Sequence, residues 1–445
     1  MNAGFSTAQV AVIGALAVHQ VSKTWDNGLH ELGHNYAPVF AVQMSPRLTA
    51  SFQILSLPLS LIAAILLPGA PGRWISVGFV VCWLLSLQRR MANHVLLGFA
   101  SVLAFAIAPG QLDPAIARDL LAGVYISAAL FKINGEYLFS DRSAAKVVSV
   151  FYFNMLGLRP TRSRLKRLPF GVIAVEFATG LLLCIPHGFT AALLLAIIMH
   201  AAFGASGNFP FSIVALSLWA IAGSPRGGYI VLPAISDGVW LVVPLTALLS
   251  LTLSRTSPGP RSFGYITKDA VQGTIYGVLC VSALAARAIS RYDGPSVAVV
   301  NWVIGAIFFL NFGLVFLGLK LDWSFAMFSS LRPFGRSWLQ RGGRDDWPRY
   351  YLLTLPDRLP KRVLRSVAPS FLYQSTRGTH VVHEAVVYRL EALARQSGIT
   401  FSPTHVVPNK ESGELVISSS QASPRRTVLL FPAIIPKKFS QHYLG

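Results

Sequence analysis

Apolar residues along this chain gather into long runs separated by short polar or Pro- and Gly-containing connections. That pattern predicts helices crossing a membrane repeatedly, each crossing needing ~20 predominantly apolar residues. Residues 48–67, 270–289 and 296–319 reach that length, and the first of these runs stops at the sequence PGAPGR. Residues 5–21 form a marginal first span, weakened by His19 and Gln20. Residues 74–87 and 95–108 are shorter, and cross if flanking arginines snorkel or the helices extend into polar sequence. Residues 172–185, 190–203, 211–222 and 239–253 supply further spans. Around residues 204–211 the sequence GASGNFP puts Gly, Asn and Pro where a helix breaks or re-enters.

Residues 114–139 read as one amphipathic helix that must turn Arg118, Asp119, Lys132 and Glu136 away from lipid. Residues 144–158 read as an amphipathic helix lying at the interface. The basic loop that follows, with Arg159, Arg162, Arg164, Lys166 and Arg167, belongs in the cytoplasm by the positive-inside rule. Beyond residue 319 the pattern changes to a surface helix over residues 380–396 and short strand-like runs at 414–418 and 427–431. The expected fold is an all-α polytopic membrane helix bundle of about 8–11 spans, some of them broken or re-entrant. It occupies residues 1–319, and a small C-terminal extramembrane α+β domain occupies residues 320–445.

Composition strengthens the membrane reading. The chain has 445 residues, 53% hydrophobic and 13% charged, and a mean hydropathy of +0.54, outside the range of soluble domains. Lys and Arg number 38 against 18 Asp and Glu, a bias that suits anionic lipid headgroups as partners. No zinc finger, RNA-binding sheet signature or basic helix is present, so nucleic acid is not an expected partner. Cys82, Cys184 and Cys280 all fall in apolar runs, where a thiol acts as a small hydrophobe. The N-terminus shows no charged leader with a small-residue cleavage site, so the first apolar run reads as an anchor in an integral, multi-pass membrane protein, in the plasma or inner membrane if bacterial.

Four ionisable residues inside apolar runs are candidates for function, because charge at that depth is costly. They are His94, Lys132, Glu176 and His200, and the expectation is that they converge on one polar pocket. A neutral amine is a competent general base, and apolar surroundings disfavour a lone ammonium. Each residue alone has a plainer explanation, Lys132 as a snorkelling lysine and each histidine as a satisfied core group. Metal chemistry has its own candidate in HELGH, where His30 and His34 could bind zinc on one helical face with Glu31 as general base. That motif lies in a polar connection, and Asp113 and Asp322, the candidates for a third ligand, lack the following Gly, so an interfacial polar segment is preferred and no metal is favoured. His380, His383 and Glu384 could likewise hold a metal on a helix, or simply begin one.

The run AALFKINGEYLF, residues 128–139, resembles the segment of vitamin K-dependent gamma-glutamyl carboxylases that carries a membrane-embedded lysine base followed by a K-L-D or K-L-N pattern, here Lys132 to Asn134. Asn93 and His94 in MANHVLLGF are similar to that family's N-H pair. His200, followed by SGNFPFSIVALSLWAIAGSP, resembles a later span, and WSFAMF at 323–328 resembles its W-x-x-M-F element with one residue more between Trp323 and Met327. Order and spacing agree over about residues 48–330, and the chain is identified as a member of the wider horizontally transferred transmembrane (HTTM) superfamily. Phe131 stands where the animal enzyme has a second lysine.

The resemblance implies a membrane enzyme of carbon-carbon lyase type, with a reduced vitamin K or menaquinone-type quinol as cofactor, O2 and CO2 as co-substrates, and Glu in a peptide or protein as the carboxylated group. Lys132 would take a proton from the quinol, His94 would orient quinol or peptide, and His200 would stabilise developing charge. Glu176, Asn93 and Asn134 would support them. Other readings remain: a superfamily member that matures a secreted or toxin peptide by another reaction, a transporter or non-catalytic scaffold, and a zinc protease dependent on Glu31.

Overall fold

The computed structural model describes residues 7–27, 44–67, 69–87, 93–108, 110–141, 143–155, 157–203, 209–224, 243, 263–289, 298–317, 349–354, 379–400, 402–408, 415–419, 422–425, 427 and 434–435. The HELGH motif, most of the expected span at 239–253, the sequence WSFAMF, Asp322, most of GASGNFP and most of the run at 427–431 lie outside these residues. The described chain is mostly helical, with a small antiparallel sheet near its C-terminus.

Helix α1 (Thr7–Asn27) is followed by α2 (Pro46–Leu66), α3 (Gly69–Leu87) and α4 (Asn93–Ile107). Ser45 caps α2 by accepting from Leu48 N at 3.2 Å, with Pro46 in the first turn where its missing N–H costs nothing. The turn into α3 rests on Gly69 at φ +75°, a left-handed conformation that side chains resist. The two helices of this hairpin are clasped by Ser60 Oγ donating to Ser76 O at 2.9 Å and Ser76 Oγ donating to Ser60 O at 2.8 Å. Polar side chains spent this way on backbone carbonyls hold helices together where lipid provides no hydrophobic drive.

A 3-10 turn leads into α5 (Asp113–Lys132), and the single helix expected over 114–139 is in fact broken there: a second short helix, α6 (Gly135–Phe139), begins after Ile133 and Asn134. Next come α7 (Ala144–Met155), α8 (Arg162–Cys184), α9 (Phe189–Phe203), α10 (Phe209–Gly223), α11 (Phe263–Ile289) and α12 (Ala298–Phe316). The basic segment is thus largely helical: Thr161 caps α8 by accepting from Arg164 N, and four cationic residues occupy its exposed first turns. Among the described residues, four helical stretches are long and apolar enough to cross a membrane: Pro46–Leu66, Gly69–Leu87, Gly110–Lys132 and Arg162–Cys184. Six shorter stretches are also apolar.

Helix α10 forms the axis of the bundle, with every residue from Pro210 to Gly223 buried. Around it, apolar side chains face outward: Trp302 and Phe309 on α12 are 80% and 79% exposed, and Ile54, Leu55, Ile62 and Leu66 line the outside of α2. Such a surface suits lipid and not water. Neighbouring helix ends fix direction. Arg73 at the start of α3 donates to Ala108 O just after α4 at 2.9 Å, Arg118 on the first half of α5 lies over the Phe189 ring at the start of α9, and Arg287 near the end of α11 donates to Thr190 Oγ1 at 2.9 Å. At the opposite end Gln272 donates to Ser22 Oγ at 2.8 Å and Phe131 stacks on Phe312. Helix α5 therefore runs against α8 and alongside α12.

The sheet has strands β1 (Tyr350–Thr354), β2 (Thr379–His383), β3 (Thr404–Pro408), β4 (Leu415–Ile417) and β5 (Ile434–Ile435), in the order β4-β3-β1-β2-β5 with all pairs antiparallel. The surface helix expected from residue 380 begins at Glu384 as α13 (Glu384–Gln396), because the preceding residues pair as β2 with Tyr350 opposite His383. Val386, Val387, Leu390 and Ala394 form the buried face of α13.

Candidate functional site

Helix α5 ends inside the bundle, and its last residue is Lys132. A helix terminus away from water must satisfy its own carbonyls. Here Ile133 adopts φ −75°, ψ 68°, the inverse γ-turn geometry, so that Asn134 N donates to Lys132 O at 2.8 Å. Asn134 completes the break with both ends of its amide, Nδ2 donating to Phe131 O at 2.8 Å and Oδ1 accepting from Tyr137 N at 2.9 Å to cap α6. The amide of Asn134 thus fixes the local backbone that carries Lys132.

From that break the Lys132 ammonium reaches back along α5, donating to Ala128 O at 3.4 Å, and meets Glu176 on α8. Lys132 Nζ lies 2.9 Å from Glu176 Oε1 and 2.9 Å from Oε2, with both side chains 3% exposed. Glu176 shares a face of α8 with Thr179, Gly180 and Leu183, the residues that this helix buries. The helices come together through Gly180, where a Cβ would lie 2.6 Å from Ile126 Cγ1 and 3.1 Å from Ile126 N. Close backbone approach at a small residue is how membrane helices bring polar side chains into range. Counting along α8 at 1.5 Å per residue, Glu176 lies roughly 12 Å from the Cys184 end, deep in the apolar stretch.

His200 sits on α9, buried, with Nε2 2.6 Å from Tyr125 OH on α5. Trp219 Nε1 on α10 donates to the same phenol oxygen at 2.8 Å. Rings of Phe203 and Phe211 lie 5.8 and 5.4 Å from the imidazole centroid, and Ser212 donates to His200 O at 3.0 Å. His94, on the first turn of α4, meets a different partner: its Nε2 is 2.7 Å from Nδ1 of His19 on α1. His19 packs edge-on to Trp83, whose Nε1 donates to Gln20 Oε1 at 3.1 Å. Asn93 is the half-buried first residue of α4.

The four candidates are thus placed as one direct pair, Lys132 with Glu176, and two histidines each held by a partner of its own. Helix α5 links two of the three clusters, since Tyr125 and Lys132 share it two turns apart. His19, Tyr125 and Trp219 were missed by sequence reasoning. His19 carried a signal, as a polar residue marring an apolar run, while buried Tyr and Trp read the same as core. Asp113 lies near the opposite end of α5, buried and within electrostatic reach of Arg73. Among the described residues no group of three or more His, Cys, Asp or Glu side chains could hold a metal ion.

Comparison with family models, with curated proteins and with solved structures returns no match.

Proposed function

We propose that this chain is an integral membrane enzyme in which Lys132 and Glu176 move a proton, and that its chemistry is that of the carboxylases it resembles: oxygenation of a reduced naphthoquinone coupled to modification of Glu in a peptide or protein. The observation that supports this reading is the buried 2.9 Å pair of an amine and a carboxylate at a helix break. In such a pair a proton can pass from ammonium to carboxylate without creating net charge, so a neutral amine becomes available in a medium that penalises isolated ions. That neutral amine is the base, and the newly protonated Glu176 is the store of the displaced proton.

His200 would offer a hydrogen bond to a flat, uncharged ligand with oxygen functions. His200 Nδ1 is a buried polar atom with no hydrogen-bond partner among the described residues, and it lies among aromatic rings. When bound, a reduced naphthoquinone would supply, on reaction with O2, a base strong enough to take an unactivated proton from a glutamate side chain, where CO2 is then captured. Lys132 removes a hydroxyl proton, Glu176 holds the amine in place, and His200 donates to an oxygen as charge develops. Apolar side chains keep out the water that would quench so strong a base. Asn134 supports the site by fixing the break that aims Lys132.

The test uses the full chain in nanodiscs with reduced menaquinone or vitamin K under oxygen, following quinone epoxide by chromatography. Epoxide from wild type and none from Lys132→Ala supports the reading. Well-folded wild type that yields no epoxide, with or without added Glu-containing peptide, rejects it. In that case a proton or substrate path becomes the better account, since intramembrane ionisable groups on several helices also mark transport routes.

A further inference from the structure

The indole N–H of Trp219 can only donate, so in its 2.8 Å contact with Tyr125 the phenol oxygen is the acceptor. Tyr125 then has one proton to place, and His200 Nε2 lies 2.6 Å away. If the phenol donates to Nε2, the trio leaves a single polar group without a partner among the described residues, the Nδ1–H of His200. If instead Nε2–H donates to the phenol, two groups are left over, a bare Nδ1 and the phenol proton. Buried polar groups are paired wherever geometry allows, and the arrangement with one unpaired group prevails.

We infer that Tyr125, held in place by Trp219, is the positioning residue that fixes His200 as a neutral imidazole protonated on Nδ1, and that this N–H is the hydrogen-bond donor for a carbonyl or hydroxyl oxygen of a neutral aromatic ligand. The ligand class follows from the walls. The imidazole is flanked by Phe203, Phe211 and the tilted Tyr125 ring, and among the described residues its hydrogen-bond and ring partners are all uncharged. A histidine pinned through Nε2 by a relay from two other helices presents its other nitrogen in one orientation and one protonation state. The ligand class deepens the quinol reading above, whereas the tautomer stands without it.

The experiment is 15N spectroscopy of the full chain in nanodiscs with 15N-labelled histidine, His200 being assigned by the signals lost in His200→Gln. Wild type should show Nδ1 in the protonated range and Nε2 in the bare range. Tyr125→Phe should shift His200 toward the other tautomer while leaving the signals of the paired His19 and His94 in place, which reports that the bundle has folded. Trp219→Phe, which keeps the phenol, should keep the wild-type tautomer. Wild type protonated on Nε2, or a His200 signal unmoved by Tyr125→Phe, overturns the assignment.

For the ligand, 2-methyl-1,4-naphthoquinone, already oxidised and so not turned over, should shift Nδ1, and naphthalene should not. Tyr125→Phe should weaken binding of that quinone roughly fivefold, the worth of one neutral hydrogen bond. Equal responses to both probes, or none to either, overturn the ligand assignment. A quinone-specific shift without epoxide formation would keep the site and reject the reaction.

Discussion

Lys132 and Glu176 stand 44 positions apart in the chain, and their side chains meet at 2.9 Å with almost no exposure to solvent. Two charges so placed are each other's main compensation for lost hydration. Removing one partner strands the other, at a cost of about 3–5 kcal/mol, while replacing both with apolar residues is often close to neutral. Lys132→Met and Glu176→Leu should each lower the unfolding midpoint in detergent, and the double variant should recover most of the loss while making no epoxide. Single-variant effects that simply add in the double variant would show that the two residues are not coupled.

Gly180 lies one turn beyond Glu176 on α8 and lets that helix rest against Ile126 of α5. A β-branched side chain there meets both the Ile126 side chain and backbone. Gly180→Val should therefore push α5 from α8, lengthen the ion pair and cost about 1–3 kcal/mol of stability. Activity should fall further than for Gly171→Val on the same helix, where a Cβ meets nothing within 4 Å. Equal effects of the two substitutions on epoxide formation would sink the idea that Gly180 sets the distance between the pair.

Lys132 and Glu176 could be singled out in the sequence because ionisable groups in separate apolar runs are costly there, even though snorkelling would explain Lys132 taken alone, whereas their pairing could not, since nothing local relates residues on different helices. Asn134 looked like part of a motif and proves to be a cap: its amide closes the break after α5, a role that Asn fills in any turn. The break itself carried a signal in Asn134-Gly135, a pair that marks turns, which the apolar Ile133 before it outweighed in a reading by pattern. In THVVHEAVVYRL the apolar positions satisfy both the strand and the helix period, and pairing with β1 decides for a strand up to His383. Tyr125 and Trp219 escaped notice because amphipathic aromatics are as common in cores as in sites.

Helix α8 should carry the chain from the cytoplasmic to the opposite face. Its first turns hold Arg162, Arg164, Lys166 and Arg167, and the turn after it holds His187. In a background lacking Cys82, Cys184 and Cys280, Ser163→Cys should react with a membrane-impermeant maleimide only when the cytoplasmic face is accessible, and His187→Cys only from the other face. Labelling of both from one face would contradict a crossing by α8. Because α12 runs alongside α5, Leu317→Cys should follow Ser163→Cys.

His383 gives the sheet region a pH dependence that can be isolated. It is buried, and its Nδ1 caps α13 by accepting from Ala385 N at 3.2 Å, which only an unprotonated Nδ1 can do. Burial lowers its pKa from 6.5 to about 3. Between those values the unfolded chain binds the proton and the folded chain does not, so stability is lost as pH falls below about 6.5, by at most ~1.4 kcal/mol per pH unit. Glu384 acts in the opposite sense: burial raises its pKa above 4.5, with Arg425 opposing, so its contribution makes stability fall as pH rises above that value. His383→Asn keeps a good cap and removes the imidazole. Hydrogen exchange of the amides of Tyr350–Thr354 and Thr379–His383, corrected for the intrinsic effect of pH, should show wild type losing protection relative to this variant as pH drops from 7 to 5. Parallel pH profiles for the two proteins would mean that His383 is not held neutral.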